Sequence, residues 1–317
     1  MVKPLGANGR LRFLPFFTVV IPTYNRAPLL QVALHSVLQQ SFDDFEVIVV
    51  DNGSTDETKA YVSTEVDPRI RYIFQAGSGS PASPRNHGIR QARGEWIAFL
   101  DSDDIWNRSK LETLHSALSA ESFDFVTHWQ HLLHKEGRVI GSMEPRQEYL
   151  SYENLLLTEN PIATSSVAVR RQFLETHNLR FSESKRFAAV EDYDFWLRIL
   201  AAGARPIVIS QFLGSNREVD GHMGVPSLFF ENLHHLYREH AWAVQTFTSE
   251  KDQLEKRLSA GIALRMSMIH VREKKGILAG KKLMRAAWLC PSELVRYARL
   301  RLHQRHNALS RRSSKTE

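Results

Sequence analysis

Short apolar runs alternate with segments of helical periodicity along the first 130 residues. Residues 17–21 and 45–50 are apolar runs that end at turn residues, which predicts buried strands. Between them, over residues 28–39, apolar positions recur near the helical period. Residues 69–74 and 95–100 continue the series as a third and a fourth strand. The alternation indicates βαβ units, and therefore an α/β domain with a mostly parallel sheet flanked by helices.

Two of the predicted helix starts carry local capping signals. Ser54 and Glu57 form a Ser-x-x-Glu capping box, which predicts a helix that runs to about Val66. Ser83 can cap the following helix, since Pro84 suits its first turn, and this helix is expected to end near residue 94.

The second half of the chain is less regular. Its pattern predicts a short helix over residues 151–158, a strand over 165–169, an amphipathic helix over 191–202 that Gly203 closes, and a strand over 207–209. From residue 227 onward the pattern is helical, with a break at Pro291. The predicted organisation is a leader over residues 1–15, an α/β domain over 16–226, a basic helical C-terminal extension over 227–309 and a disordered tail over 310–317.

The composition is that of an ordinary globular protein, with 43% hydrophobic and 24% charged residues among 317. Cys290 is the single cysteine, which excludes a disulfide framework and a cysteine-based zinc cluster and fits a reducing cytoplasm. The apolar stretch over residues 13–21 is shorter than the roughly 20 residues that a membrane span needs. Neither a transmembrane segment nor a signal peptide is therefore expected.

Charge is distributed unevenly along the chain. Residues 251–317 hold 17 Lys and Arg against 5 Asp and Glu, whereas residues 1–250 hold 24 against 30. A basic segment favours phosphate-rich partners, although a solvated helical face explains the pattern equally well. The extension has few interleaved aromatic residues and no nucleic-acid motif, so no nucleic-acid partner is expected. Contact with the inner membrane face is the hypothesis that its charge and its apolar positions favour, namely Ile277, Leu278, Leu283, Met284, Trp288 and Leu289.

Polar residues follow three of the predicted strands at the point where each strand ends. They are residues 23–25, residues 51–53 and residues 101–104. Because an open parallel sheet binds ligands outside the carboxyl ends of its strands, we expect the three clusters to converge at one edge.

The cluster Asp101-Ser102-Asp103-Asp104 carries the clearest chemical signal. Hard cations such as Mg²⁺ prefer carboxylate oxygens, and packed aspartates repel one another unless a cation or hydrogen-bond donors offset the charge. The alternative is that these aspartates cap the helix that starts near Asn107.

A second set of carboxylates, Glu191, Asp192 and Asp194, stands at the start of the amphipathic helix. A carboxylate at such a place can serve as a general base, although favourable charge at a helix N-terminus also explains all three. His222 lies in the loop after the last predicted strand, where it could fold over a ligand. Asp51-Asn52-Gly53, taken alone, is an ordinary turn.

Five motifs occur in order along the chain. They are Val19-Val20-Ile21-Pro22-Thr23-Tyr24-Asn25-Arg26, Val50-Asp51-Asn52-Gly53-Ser54-Thr55-Asp56, Ala82-Ser83-Pro84-Arg85-Asn86-His87-Gly88-Ile89, Gly94-Glu95-Trp96-Ile97-Ala98-Phe99-Leu100-Asp101-Ser102-Asp103-Asp104 and Glu191-Asp192. Together, at these spacings, they resemble an inverting family 2 glycosyltransferase of the GT-A fold over residues 16–222.

The resemblance implies a site that binds a nucleotide-sugar donor. Asp51 and Asn52 would hold the base, and Arg85 would lie beside the diphosphate or the nucleotide. The family more often has a second Asp at the position of Asn52, and an amide both donates and accepts, so base recognition departs from the common pattern. The full set of donor-binding residues would be Pro22, Thr23, Tyr24, Asn25, Asp51, Asn52, Arg85, Asp101 and Ser102.

The resemblance also implies a Mg²⁺ or Mn²⁺ cofactor. Asp103 would ligate it directly, with Asp101 nearer the ribose and His222 completing the site. Asp192 would be the catalytic base, with Glu191 in support. The Gln-x-x-Arg-Trp signature of processive polysaccharide synthases does not occur in the sequence, which favours transfer of a single sugar.

The expected function is transfer from a UDP- or dTDP-sugar to a hydroxyl of a glycan or lipid-linked acceptor, in cell-surface polysaccharide synthesis. The expected location is the cytoplasm, peripherally at the inner membrane face. One alternative is a non-catalytic nucleotide-sugar-binding or scaffold protein, against which the retained Asp101, Asp103 and Asp192 argue. Another is a nucleotidyltransferase that makes nucleotide-sugars, which would carry a glycine-rich phosphate loop where this chain has residues 23–26.

Overall fold

The computed structural model describes residues 14–157, 160–217, 226–243, 251–272, 274–292 and 294–295. The chain divides into two compact units, Met1–Gly224 and Val225–Glu317. The predicted leader, apart from residues 14 and 15, and the predicted tail over residues 310–317 lie outside the described residues.

The first unit is built of alternating strands and helices, which confirms the predicted α/β class. Its described strands are β1 Phe17–Thr23, β2 Phe45–Asp51, β3 Ile70–Phe74, β4 Trp96–Phe99, β5 Ile105–Trp106, β6 Phe125–Leu133, β7 Val139–Met143, β8 Ala168–Arg170 and β9 Pro206–Arg217. Its described α-helices are α1 Ala27–Leu38, α2 Thr58–Thr64, α3 Ala82–Gln91, α4 Lys110–Ala120, α5 Tyr152–Leu157, α6 Arg171–Thr176 and α7 Glu191–Ala201.

The strands form one sheet in the order β3-β2-β1-β4-β8-β6-β9-β5, with β7 paired to β6. Strands β3, β2, β1 and β4 are parallel, as predicted. Beyond β4 the sheet is mixed, because β8 is antiparallel to both β4 and β6, and β5 is antiparallel to β9. The β6–β7 pair is antiparallel because the connection between them is too short for a crossover.

The register of the parallel strands sets the edge that carries the polar clusters. Thr23 pairs with Asp51 across β1 and β2, and Val20 pairs with Phe99 across β1 and β4. Strands β1 and β2 are buried along their whole length, which explains why their sequences are mostly apolar. The polar residues that follow these strands therefore emerge together at the carboxyl edge.

The predicted start of α2 is wrong. The helix begins at Thr58, after Glu57, and the Oδ1 atom of Asp56 accepts from the Thr58 amide at 3.1 Å. Ser54 does not cap it, because the Ser54 amide donates to Asp51 and the Ser54 hydroxyl accepts from Asn25.

The predicted cap of α3 is also wrong. The helix begins at Ala82, whose amide donates to the hydroxyl of Ser80 at 3.2 Å. Ser83 lies inside the first turn, and its hydroxyl accepts from the side chain of Gln75. The predicted end of α7 at Gly203 is confirmed. The helix ends at Ala201, and Gly203 follows with a φ of 85°, a conformation that favours glycine.

The second unit is helical in its described part, with α8 Pro226–Ala243, α9 Lys251–Arg272 and α10 Gly276–Leu289. Helix α10 ends before Pro291, as predicted. A small core of Ala260, Ala263, Leu264 and Ala286 joins α9 to α10. No helix in the described ranges has both the length and the apolar character that crossing a bilayer requires.

The packing of α3 on β1 depends on Gly88. A Cβ atom at this position would lie 2.3 Å from the Cγ1 atom of Val20, which is fully buried and stiff because it is β-branched. We predict that Gly88→Ala lowers the free energy of unfolding by about 1–3 kcal/mol, since the core must shift to admit a methyl group. Urea unfolding of the variant measures this.

The control for this prediction is Gly261→Ala in α9. Apart from that helix's own backbone, no atom of the described residues lies within 4 Å of the new Cβ. This variant should be unchanged or more stable by about 0.4–1 kcal/mol. Equal stability of Gly88→Ala and the wild type would contradict the close packing of α3 on β1.

Candidate active site

The loop after β1 is fastened to the loop after β2 through Asn25. Its φ of 50° lies in the left-handed region, which asparagine tolerates better than most residues. The Oδ1 atom of Asn25 accepts from the Thr55 amide at 2.8 Å, and the Asn25 amide donates to the Ser54 hydroxyl at 2.9 Å. Two of the three polar clusters are thereby joined, as their predicted convergence requires.

The other residues of the first cluster differ in exposure. Pro22 and Thr23 are buried in β1, whereas Tyr24 is 55% exposed. The buried hydroxyl of Thr23 has no hydrogen-bond partner among the described residues. A buried hydroxyl without a partner is costly, and a bound polar group can offset that cost.

Asp51 and Asn52 organise the protein around them. The Asp51 carboxylate accepts from the Ser54 amide at 2.8 Å and from the Tyr72 hydroxyl at 2.6 Å. Burial and the bond to Asp51 raise the pKa of Tyr72. The Oδ1 atom of Asn52 accepts from Gln75 and from both the amide and the hydroxyl of Ser78. Asn52 therefore shapes the loop after β3, a role that the sequence did not reveal.

The acidic loop after β4 gives each aspartate a different partner. Asp101 contacts Arg85 at 2.6 Å, and the Oδ2 atom of Asp103 lies 3.0 Å from Arg26. Ser102, which lies between these two aspartates in the sequence, is buried. Arg26 belongs to the loop after β1, so this ion pair brings the third polar cluster to the other two. No local sequence signal marked a role for Arg26, although it stands beside Asn25 in the first motif.

Asp104 is a structural tether. Its carboxylate accepts from the Ser165 hydroxyl at 2.5 Å, from the Asn216 side chain at 2.8 Å and from the Arg217 amide at 3.0 Å. Burial, with the charges of Asp103 and Asp101, raises the pKa of Asp104 well above its ordinary value. The carboxylate ties the acidic loop to the end of β9, so Asp104 does not serve as the cap of a helix near Asn107.

Ser165 also holds the acidic loop, through hydrogen bonds to Asp101 and Asp104. It lies in the 3₁₀ turn Thr164–Ser166 rather than in the predicted strand over residues 165–169. Its carbonyl accepts from the indole of Trp106 at 2.9 Å and from the ammonium of Lys110 at 2.7 Å, and so is not used by the sheet. Its hydroxyl accepts from the Asp101 amide at 2.9 Å. Neither Ser165 nor Lys110 had a local sequence signal that marked it.

Arg85 joins the acidic loop to the start of α7. Its guanidinium is buried and lies 2.6 Å from Asp101 and 3.3 Å from Glu191. Burial disfavours the charged form, but the carboxylates of Asp101 and Glu191 outweigh it and raise the pKa of Arg85. The ring of Phe181 lies under the guanidinium, 5.3 Å away. Carboxylates 90 positions apart in the sequence thus share one cation.

Asp192 is less well compensated than its neighbours. Its Oδ1 atom accepts from the Tyr193 amide at 2.6 Å, and its Oδ2 atom lies 3.5 Å from the Thr164 hydroxyl. Burial, followed by the charge of Glu191, raises the pKa of Asp192 from 3.8 to about 7, and Arg85 only partly offsets this. A carboxylate with a pKa near 7 is suited to take up a proton at neutral pH.

Asp194 is a paired residue on the same helix. It accepts two hydrogen bonds from Arg198, at 2.9 and 2.7 Å. Arg198 also donates to the carbonyl of Arg180 at 2.6 Å. Asp194 therefore has a structural role, in contrast to Asp192.

The acidic loop fits a hard cation that takes part of its ligands from a bound molecule. Within the described ranges, no three His, Cys, Asp or Glu side chains come together as a set of metal ligands. Mg²⁺ is commonly held by one or two carboxylates and completed by substrate phosphates, and the carboxylates of Asp101 and Asp103 match that donor chemistry. His222 lies outside the described residues.

The residues of the first unit match a known family. The protein-family model described as "Glycosyl transferase family 2" matches residues 18–177 of this chain. The chain is 31% identical to the succinoglycan biosynthesis protein ExoO of Rhizobium meliloti over 201 residues, 60% of this chain and 57% of that protein. It is 30% identical over 183 residues to WfgD of Escherichia coli, a UDP-Glc:alpha-D-GlcNAc-diphosphoundecaprenol beta-1,3-glucosyltransferase, covering 58% of this chain and 69% of WfgD. The chain thus spans little more than half the length of ExoO.

Solved structures show the fold. Residues 1–349 of S. aureus TarS in complex with UDP-GlcNAc superpose with a TM-score of 0.62 at 24% identity, over 85% of this chain and 81% of that one. The mannosyltransferase PcManGT from Pyrobaculum calidifontis, in complex with GDP-Man and Mn²⁺, gives a TM-score of 0.57 at 21% identity, over 97% and 86%. The predicted GT-A fold is confirmed.

The raised pKa of Asp192 predicts a pH-dependent effect on stability. A folded-state pKa above the ordinary value means that ionisation of Asp192 destabilises the folded protein as the pH rises from about 4 to 7. We predict that Asp192→Asn raises the melting temperature by several degrees at pH 8 and by less at pH 5. Thermal unfolding at the two pH values measures this.

Asp194→Asn is the matched control, because it removes a carboxylate two positions away that is paired with Arg198. It should lower the melting temperature at both pH values. An Asp192→Asn variant that is less stable than the wild type at pH 8 would show that the ionised Asp192 is well compensated.

Proposed function

The chain belongs to glycosyl transferase family 2, and from this membership we propose that it is a metal-dependent inverting transferase of single sugars. The proposed donor is a UDP- or dTDP-sugar, and the acceptor is a hydroxyl of a glycan or lipid-linked sugar. The names of two relatives support a role in cell-surface polysaccharide synthesis: one is a succinoglycan biosynthesis protein, and the other a glucosyltransferase acting on a diphosphoundecaprenol-linked sugar.

The observation that carries the proposal is the ion-pair network of Arg85. Arg85 links Asp101, in the acidic loop, to Glu191, beside the candidate base Asp192. A transferase of this kind needs a place for the donor diphosphate and a base for the acceptor at the same centre. One buried cation between the two groups of carboxylates supplies that proximity.

The donor would lie along the carboxyl edge formed by β1, β2 and the acidic loop. We assign its contacts to Pro22, Thr23, Tyr24, Asn25, Asp51, Asn52, Arg85, Asp101 and Ser102. Thr23 offers a buried hydroxyl without a partner among the described residues. Asn52 acts through the loop that it shapes, because its Oδ1 atom already accepts three hydrogen bonds from residues 75–78.

Asp103 would hold Mg²⁺ or Mn²⁺, with Asp101 nearby, and we retain His222 as a further ligand in the proposal. PcManGT, a structural neighbour, was solved with Mn²⁺. When bound, the cation neutralises charge on the diphosphate and so favours its departure. In the structure Asp103 pairs with Arg26, whose side chain is 28% exposed. On metal binding, the cation would replace Arg26 as the partner of Asp103.

Asp192 would remove the proton from the acceptor hydroxyl. Glu191 would support it, because the charge of Glu191 raises the pKa of Asp192. The acceptor oxygen forms a bond to the anomeric carbon as the bond from that carbon to the diphosphate oxygen breaks. The proton passes to Asp192, and the nucleoside diphosphate leaves with the bonding electrons. A single displacement of this kind inverts the anomeric centre. We place the reaction in the cytoplasm, at the inner face of the membrane, where a lipid-linked acceptor is accessible.

Nucleotide release from UDP-, dTDP- and GDP-sugars tests the proposal. We expect release with Mn²⁺, none with EDTA, and loss in Asp103→Ala. Asp192→Asn should retain donor binding but lose about 10²–10⁴ in rate, because it removes the base. The rate should rise with pH through a midpoint near 7, where Asp192 ionises.

The matched control is Asp43→Asn, since the Asp43 side chain is 90% exposed. It should release nucleotide at the wild-type rate. Absence of release from every donor, together with no thermal shift by any nucleotide with Mn²⁺, would favour the non-catalytic alternative. Release that is insensitive to EDTA would contradict the metal assignment.

A further inference from the structure

Helix α10 presents large apolar side chains on the side that does not pack in its own unit. Trp288 is 83% exposed, Ile277 81% and Met284 66%. Among the described residues, Val66 is the one large apolar side chain that is more exposed than Trp288. The spacings of seven and four residues place these three side chains on one face of the helix.

The opposite face of α10 holds the unit together. Ala279 and Ala286 are buried there, and the hydroxyl of Ser267 in α9 donates to the carbonyl of Ala279 at 2.9 Å. At about 100° per residue, the face of Ile277, Met284 and Trp288 points almost directly away from these alanines. The apolar side chains are thus fixed outward by the packing of small residues behind them.

Basic side chains accompany this face. Lys281 and Arg285 are exposed, and they fall between and beside the apolar positions on the helical surface. Residues 276–292 hold three Lys and Arg and no Asp or Glu. Residues 251–317 as a whole hold 17 basic against 5 acidic residues. The outward face is therefore apolar at its centre and positively charged at its border.

We propose that Ile277, Met284 and Trp288 insert into the headgroup region of an anionic lipid bilayer, with α10 lying in the membrane plane. A helix of 14 residues is about 21 Å long, too short to cross the hydrocarbon core. An apolar face with Trp at its centre and Lys or Arg beside it is typical of interfacial helices. We name these five residues, Ile277, Lys281, Met284, Arg285 and Trp288, the α10 face.

Charge argues for a bilayer rather than a second copy of this chain. A symmetric dimer through the α10 face would gather Lys281 and Arg285 of both copies at one interface, where like charges repel. An anionic surface offers the same apolar contact together with attraction. The proposal rests on the proposed function in one respect, since a lipid-linked acceptor gives membrane binding its purpose.

Sedimentation with lipid vesicles tests the proposal on the full chain. The vesicles are phosphatidylcholine alone, or phosphatidylcholine with about one third phosphatidylglycerol. We expect salt-sensitive binding to the anionic vesicles. We also expect a blue shift of the protein's tryptophan fluorescence on binding, and this shift should be missing in Trp288→Ser. Trp288→Ser should weaken binding about tenfold, and Lys281→Gln about fivefold.

Val66→Ser is the matched control, because Val66 is 95% exposed and lies in the first unit. It should bind vesicles as the wild type does. No binding to anionic vesicles would overturn the proposal, as would binding that is unchanged when Ile277, Met284 and Trp288 are all replaced by Ser. A dimer in ultracentrifugation that Trp288→Ser converts to monomer would assign the face to a second copy instead.

Donor binding separates this test from the proposed function. Stabilisation by UDP with Mn²⁺ in the absence of lipid should be the same in the wild type and in Trp288→Ser. Vesicle binding without a nucleotide effect would leave the α10 face standing while the transferase proposal fails. The reverse result would remove the membrane face alone.

Discussion

Arg85 places one buried guanidinium between two carboxylates that come from distant parts of the chain. Asp101 follows β4, and Glu191 opens α7, and the two meet because α3 carries Arg85 to the carboxyl edge of the sheet. Without a cation at this point, the acidic loop and the start of α7 would repel each other in a partly desolvated place. The candidate site therefore depends on this ion-pair network before any substrate or metal is bound.

The carboxylates of the candidate site have different partners, and this separates their roles. Asp104, whose pKa is raised by burial and by the charges of Asp103 and Asp101, accepts from three donors and ties the acidic loop to β9. Asp103 is paired with Arg26, whose side chain is 28% exposed. Asp192 keeps a raised pKa because burial and Glu191 outweigh the influence of Arg85. In the proposed function, these differences would let Asp103 hold a cation while Asp192 takes up a proton.

The sequence predicted the parallel strands and the convergence of the polar clusters, because both follow from local periodicity and from the geometry of parallel sheets. It did not predict β8 as an antiparallel strand or the tether of Asp104 to Ser165. Those features rest on contacts between residues about 60 or more positions apart, for which no local pattern exists. Capping was misassigned at Ser54 for a similar reason. Its hydroxyl accepts from Asn25, a partner from the loop of another strand.

The measurement that tests the central role of Arg85 most directly is a double-mutant cycle in urea unfolding, with Arg85→Met and Glu191→Gln. We predict that Arg85→Met alone lowers the free energy of unfolding by about 3–5 kcal/mol, because it leaves buried carboxylates without their cation. Adding Glu191→Gln to that variant should restore part of the loss, since it removes one of the uncompensated charges. Strictly additive losses from the two substitutions would contradict the central role of Arg85.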